Sequence, residues 1–100
     1  IDHCFVLDNN VSSIPLDTRS CEPRLLASFS HSHTRLHLEV FSTKPTFQFY
    51  TGHHVKVAAW EHSFERKAGA RFCVEPSRYE NAINVPEWRD MMILKQGQLW

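Results

Sequence analysis

One carboxylate in this 100-residue chain stands where chemistry could use it. The stretch from Ala70 to Val74 is small, aromatic and β-branched and reads as a strand. Pro76, with no amide hydrogen to continue a ladder, stops it. Glu75 is thereby expected at the strand's end, held by rigid backbone on one side and open to a loop on the other. That is the geometry a general base needs. The same pattern also fits an ordinary solvated glutamate, so the chemistry has to be argued from the rest of the chain.

The other reactive side chains group less well. His31 and His33 have no carboxylate or thiol at ligand spacing, so no metal site is indicated. His37 lies on the outward face of an alternating strand, while His53, His54 and His62 fall in turns or loops and read as solvated. Cys4, Cys21 and Cys73 are odd in number and contain no Cys-x-x-Cys pair, which suggests neither a disulfide framework nor a zinc site. Cys4 and Cys73 sit in apolar patterns and read as small buried hydrophobes. Free thiols point to a reducing, intracellular, cytoplasmic compartment.

The elements that would position these groups are strands. Cys4 to Leu7 is a short apolar run closed by the turn-forming Asp8-Asn9-Asn10, and Val11 to Pro23 is a connecting loop partly covered by Ile14 and Leu16. Arg24 to Ser30 reads as a strand, followed by a polar turn. Arg35 to Val40 alternates strictly, the mark of a half-buried antiparallel strand. Thr46 to Tyr50 alternates as well, with Phe47 and Phe49 on one face and Thr46, Gln48 and Tyr50 on the other, and it ends at Thr51-Gly52. Val55 to Trp60 fits one more short strand, Glu61 to Gly69 a charged loop, Pro86 to Arg89 a turn with an aromatic anchor, and Met91 to Leu94 a last strand. No segment shows sustained helical periodicity, so the fold class is all-β with antiparallel strands.

Composition sets the limits. One hundred residues make at most one domain, able to remove roughly two-thirds of the unfolded chain's surface from water. Eleven basic residues balance 11 acidic ones, which gives no electrostatic footprint for nucleic acid or an anionic membrane. No apolar run approaches the roughly 18 residues of a membrane span. The chain starts at Ile1 rather than Met, already close to strand-like sequence, and reaches Trp100 just after an apolar stretch, so it is expected to be a piece of a longer protein.

Three stretches, in this order, resemble the C-terminal part of the aldose 1-epimerases, the galactose mutarotases. They are Ile1-Asp2-His3-Cys4-Phe5, then Ser42-Thr43-Lys44-Pro45-Thr46-Phe47-Gln48-Phe49-Tyr50-Thr51-Gly52, then Phe72-Cys73-Val74-Glu75-Pro76 leading to Ala82-Ile83-Asn84 and Pro86, with Ile93-Leu94-x-x-Gly97 closing the set. The resemblance covers nearly the whole chain. It implies that residues 1–100 are the C-terminal segment of a single mutarotase-like domain, a large antiparallel β-sandwich with an open sugar-binding cleft. It implies that Glu75 is the catalytic base that takes the proton from the anomeric hydroxyl. Asp2 and Gln48 would bind the sugar, which would be galactose or glucose. Ring opening of this kind needs one group to accept the O1 proton and another to protonate the ring oxygen, and it requires no metal or cofactor.

The Glu-Pro-Ser-Arg-Tyr sequence is similar to fungal members, in some of which a mutarotase is fused behind a UDP-galactose 4-epimerase. Family members often carry Asn at the position of Cys4, a Gln-aromatic-Pro-Asp pattern where Ser77 to Asn81 stand, and an Asn-aromatic pair where His53-His54-Val55 stand; these departures bear on sugar preference. The family's general acid is a histidine from the part preceding the Asp-His motif, and none of the histidines here matches it; His3, beside Asp2, packs or orients its strand. The segment alone is therefore expected to be inactive. Two other readings stay open: a carbohydrate-binding or regulatory domain without turnover, and a relative acting on hexose 6-phosphates, for which Arg71 and Arg78 are the candidate phosphate ligands.

Overall fold

The computed structural model describes residues 1–10 and 13–99. Val11 and Ser12, the first residues of the loop expected from 11 to 23, and Trp100 lie outside the described residues. Among the described residues, five strands form two antiparallel sheets: β1 (Asp2–Val6), β2 (Arg24–His31), β3 (Leu36–Ser42), β4 (Thr46–Tyr50) and β5 (Cys73–Ser77). One sheet has the order β1-β4-β5 and the other is the β2-β3 hairpin. A four-residue helix, α1 (Pro86–Arg89), lies between two 3-10 turns, Ala82–Asn84 and Asp90–Met92.

The three-stranded sheet is amphipathic because its register matches the alternation of its strands. Asp2, Cys4 and Val6 stand opposite Tyr50, Gln48 and Thr46, which in turn stand opposite Cys73, Glu75 and Ser77. Directly paired residues project to the same side, so these nine form one face and His3, Phe5, Phe47, Phe49, Val74 and Pro76 the other. The second face is the apolar one. Phe5 stacks on Phe47 with ring centroids 5.3 Å apart, and Phe49 meets Phe29 of β2 at 5.3 Å. Phe72 completes that contact at 4.9 Å from Phe29, so the two sheets meet through aromatic rings.

A second apolar cluster gathers Tyr79, Ala82 and Met91, with Ile14, Trp88 and Met92 packed against it. Tyr79 and Trp88 lie 4.9 Å apart. This cluster brings the loop after β1 onto the segment after β5.

Several expectations are corrected. Glu75 is the middle residue of β5 and Pro76 is paired within the strand rather than stopping it. A proline is tolerated there because β5 lies at the edge of the described sheet. The strand begins at Cys73 instead of Ala70.

Val55 to Trp60 is not a strand. It folds back through isolated bridges, Val57 with Arg66 and Trp60 with Ser63, about a left-handed Glu61. Met91 to Leu94 is not a strand either, because the turn begun by Pro86 at the start of α1 runs on through the good helix former Met. The turn expected at Pro86 to Arg89 is thus a short helix, although Trp88 is the anchor expected of it.

The alternating strand β3 pairs as expected, but it is not half-buried. Leu36 is 70% exposed and Phe41 56% exposed. The buried apolar residues among those described are Leu26, Pro45, Phe47, Tyr79, Ala82 and Met91, a smaller core than the length allows. The radius of gyration of 17.1 Å agrees, since about 13 Å is usual for a compact chain of this length.

Candidate functional site

The polar face of the three-stranded sheet carries the side chains that could do chemistry. Its middle row reads Cys4, Gln48, Glu75 across β1, β4 and β5, and the adjacent row reads Asp2, Tyr50, Cys73. Asp2, Gln48 and Glu75, far apart in sequence, therefore project from one face within a patch two rows deep. The Gln48 amide donates a hydrogen bond from Nε2 to Oδ1 of Asp2 at 2.5 Å, a diagonal contact between the two rows. That bond fixes the Gln48 side chain with its carbonyl oxygen still able to accept. Glu75 is exposed, and among the described residues its carboxylate has no hydrogen-bond or ion-pair partner.

The loop beyond β4 is tied to this face. The Tyr50 hydroxyl accepts a hydrogen bond from the His54 amide at 2.8 Å. Gly52 takes φ +67°, and a Cβ there would lie 2.5 Å from the Arg71 carbonyl oxygen, so only glycine permits the close approach that leads the chain back towards β5. At the other end of the face, Thr46 is completely buried. Its hydroxyl oxygen lies 2.9 Å from Ser77 Oγ, 3.1 Å from the Ser77 carbonyl and 3.0 Å from the Arg78 carbonyl. Sequence reading placed Thr46 on the face of Gln48 by alternation but did not foresee this clasp, which depends on how the chain turns after Ser77.

Among the described residues, no histidine side chain bonds to Asp2, Gln48 or Glu75. The His3 side chain projects from the opposite face, where its ring meets Phe5 edge-on at 5.1 Å. On β3, His37 is 2.8 Å from Ser30 Oγ through Nδ1 and 3.3 Å from Glu39 through Nε2. His31, His33, His53, His54 and His62 are all exposed.

Arg78, a candidate phosphate ligand by sequence, points elsewhere. It is buried and donates from Nη2 to the Pro15 and Leu16 carbonyls at 3.0 and 2.9 Å. Burial pulls its guanidinium, and the Lys44 amine near it, below their ordinary pKa ranges, and the like charge of Arg78 adds to the effect on Lys44. Tyr79 donates its hydroxyl to the Asp8 carbonyl, and burial pushes its pKa up. Segment 77–79 is thus a strap fastened to β4 and to the loop after β1.

The profile of the aldose 1-epimerase family matches residues 1–100. The chain belongs to the aldose 1-epimerase family. It is 39% identical to the bifunctional protein GAL10 of Kluyveromyces lactis over the whole chain, which spans 13% of that protein. It is 33% identical to the bifunctional protein gal10 of Schizosaccharomyces pombe over 99% of the chain and 13% of that protein. To the galactose mutarotase of Sus scrofa it is 33% identical over 80% of the chain and 23% of that protein. The chain therefore spans about an eighth of the bifunctional relatives and about a quarter of the mutarotase. The antiparallel sheets agree with the all-β fold expected of this family. Among the described residues, no helix is long and apolar enough to cross a membrane.

Proposed function

We propose that this aldose 1-epimerase chain is the C-terminal segment of a mutarotase domain and that Glu75 is its general base. In this reading Glu75 takes the proton from O1 of a pyranose while an acid on the preceding part of the domain protonates the ring oxygen. The C1 to ring-oxygen bond breaks, C1 rotates, and the ring recloses on its other face. On reclosure Glu75 returns its proton to the anomeric oxygen and the ring-oxygen proton goes back to the acid, so the reaction exchanges anomers and leaves both groups as they began. Asp2 and Gln48 hold the sugar hydroxyls.

One observation carries the reading: Gln48 pairs with Glu75 across β4 and β5 while its amide reaches Asp2, so a single ligand could touch all three. The exposed side chains of Leu36, Leu38 and Phe41 support the view that further parts of the domain lie against β3. Galactose is the substrate that the mutarotase relative's name suggests, and glucose is the second sugar that the family resemblance implies. We infer that in the whole protein this domain follows a UDP-galactose 4-epimerase domain, a fusion that the bifunctional relatives support in so far as they carry a second function. Unpaired Cys4, Cys21 and Cys73 favour a cytoplasmic setting. The hexose 6-phosphate reading loses one of its two ligands, because the Arg78 guanidinium is turned to backbone carbonyls.

The test is Glu75→Gln in the full-length protein, which keeps the volume and removes the basicity. Mutarotation followed by polarimetry is expected to slow by about a hundredfold or more while sugar binding persists. An unchanged rate would make Glu75 a bystander, and binding with no turnover in either form would favour a carbohydrate-binding domain.

A further inference from the structure

Glu75 has no side-chain partner among the described residues, so the backbone of β5 alone sets where its carboxylate stands. That backbone is weakly held on its own account. β5 lies at the edge of the described sheet, and Pro76, next to Glu75, removes one amide that could otherwise have served a ladder. What holds the end of the strand is Thr46. Its hydroxyl has one proton for the Ser77 or Arg78 carbonyl and lone pairs for Ser77 Oγ, and its complete burial excludes competing water. Ser77 is Thr46's own register partner, and Glu75 pairs with Gln48 one same-face row away. The clasp thus sits beside the row that carries the base.

We propose that Thr46 is a positioning residue for the reaction: its buried hydroxyl clamps the end of β5 and so fixes the Glu75 carboxylate against the sugar. This rests on Glu75 being the base. A misplacement of about 1 Å at a catalytic group can reduce turnover about a hundredfold. Loss of the clasp is therefore read in kcat, because the groups that bind the sugar, Asp2 and Gln48, lie on β1 and β4 and keep their mutual bond.

The experiment compares Thr46→Val, which keeps shape but not the hydroxyl, with Thr46→Ser, which keeps the hydroxyl, in the full-length protein with the α-anomer of galactose. Thr46→Val is expected to lower kcat about ten- to a hundredfold with KM within about twofold, and Thr46→Ser to recover kcat to within about threefold. Added to Glu75→Gln, Thr46→Val is expected to cause no further loss, because it acts through the missing base.

The proposal is overturned if Thr46→Val keeps kcat, if KM rises in step with the loss of kcat, or if the loss is the same in the Glu75→Gln background. An unchanged rate in Glu75→Gln itself overturns the base reading instead. Should Thr46→Val not fold, Thr46→Ser and Thr46→Cys carry the test. The weaker thiol donor is expected to give a severalfold lower kcat than the hydroxyl, and equal kcat values overturn the proposal.

Discussion

Replacing Gln48 by Met separates binding from turnover. The change keeps an unbranched side chain of similar length and removes the amide that donates to Asp2 Oδ1 at 2.5 Å. That bond joins a half-buried amide to an exposed carboxylate, so its loss is expected to lower stability by less than about 1 kcal/mol. The effect on a bound sugar is larger. Gln48 would lose its own bond to a hydroxyl, and Asp2 would lose the neighbour that orients it. Hydrogen bonds to charged groups are worth about 1.5–3 kcal/mol. At about 1.4 kcal/mol per factor of ten, KM is expected to rise roughly ten- to a hundredfold. In the proposed reading Gln48 would contact the sugar equally before and during ring opening, so kcat should fall by less than about threefold. Initial rates of optical rotation against galactose concentration, with a thermal melt on the same sample, give all three quantities. A KM within about twofold of the parent would refute the reasoning, and so would a fall in kcat at constant KM.

Two further outcomes follow from the geometry. Gly52→Ala places a Cβ 2.5 Å from the Arg71 carbonyl oxygen at φ +67°, whereas Gly97, at φ +85°, has nothing within 4 Å of such an atom. Gly52→Ala is therefore expected to lower the melting temperature by several degrees more than Gly97→Ala, and equal shifts in two thermal melts would contradict the close approach. Residues 1–100 expressed alone are expected not to accelerate mutarotation of galactose or glucose. On the proposed reading such a segment would hold the base without the acid, and its exposed Leu36, Leu38 and Phe41 favour association over a rigid site. A rate above buffer that Glu75→Gln abolishes would show an acid within the segment.

How far the sequence could be read depended on where the relevant partners lay. Thr46 to Tyr50 was legible residue by residue, because alternation over five residues dictates two faces and the register keeps them. The hairpin from Arg24 to Ser42 was legible for the same reason, with a polar turn between alternating runs. Burial was less legible. Alternation in β3 announces an apolar face, but whether that face is covered depends on elements outside the strand, and Leu36 stands 70% exposed. Pro76 misled because the rule against proline applies to a strand with neighbours on both sides, and among the described residues β5 has one. Met91 to Leu94 misled because a four-residue apolar run fits a strand or a helical turn equally, and only the preceding Pro86 decides.

In the site, the chemical types of Asp2, Gln48 and Glu75 were visible through the family resemblance, whereas the Gln48 to Asp2 bond and the Thr46 clasp required coordinates. The first depends on a diagonal between rows and the second on the turn after Ser77, and neither leaves a periodic trace. Arg78 shows the converse: a candidate phosphate ligand by sequence, it points its guanidinium at two backbone carbonyls 63 and 62 residues away.

The central claim is that Asp2, Gln48 and Glu75 serve one sugar, with Glu75 at its anomeric hydroxyl. The most direct test is a crystal structure of the full-length protein with galactose bound. The account predicts O1 within about 2.6–3.2 Å of a Glu75 carboxylate oxygen, with Asp2 and Gln48 each bonded to a hydroxyl of the same molecule. A galactose bound on the opposite face of the sheet, or one that meets Asp2 and Gln48 with O1 turned away from Glu75, would contradict it.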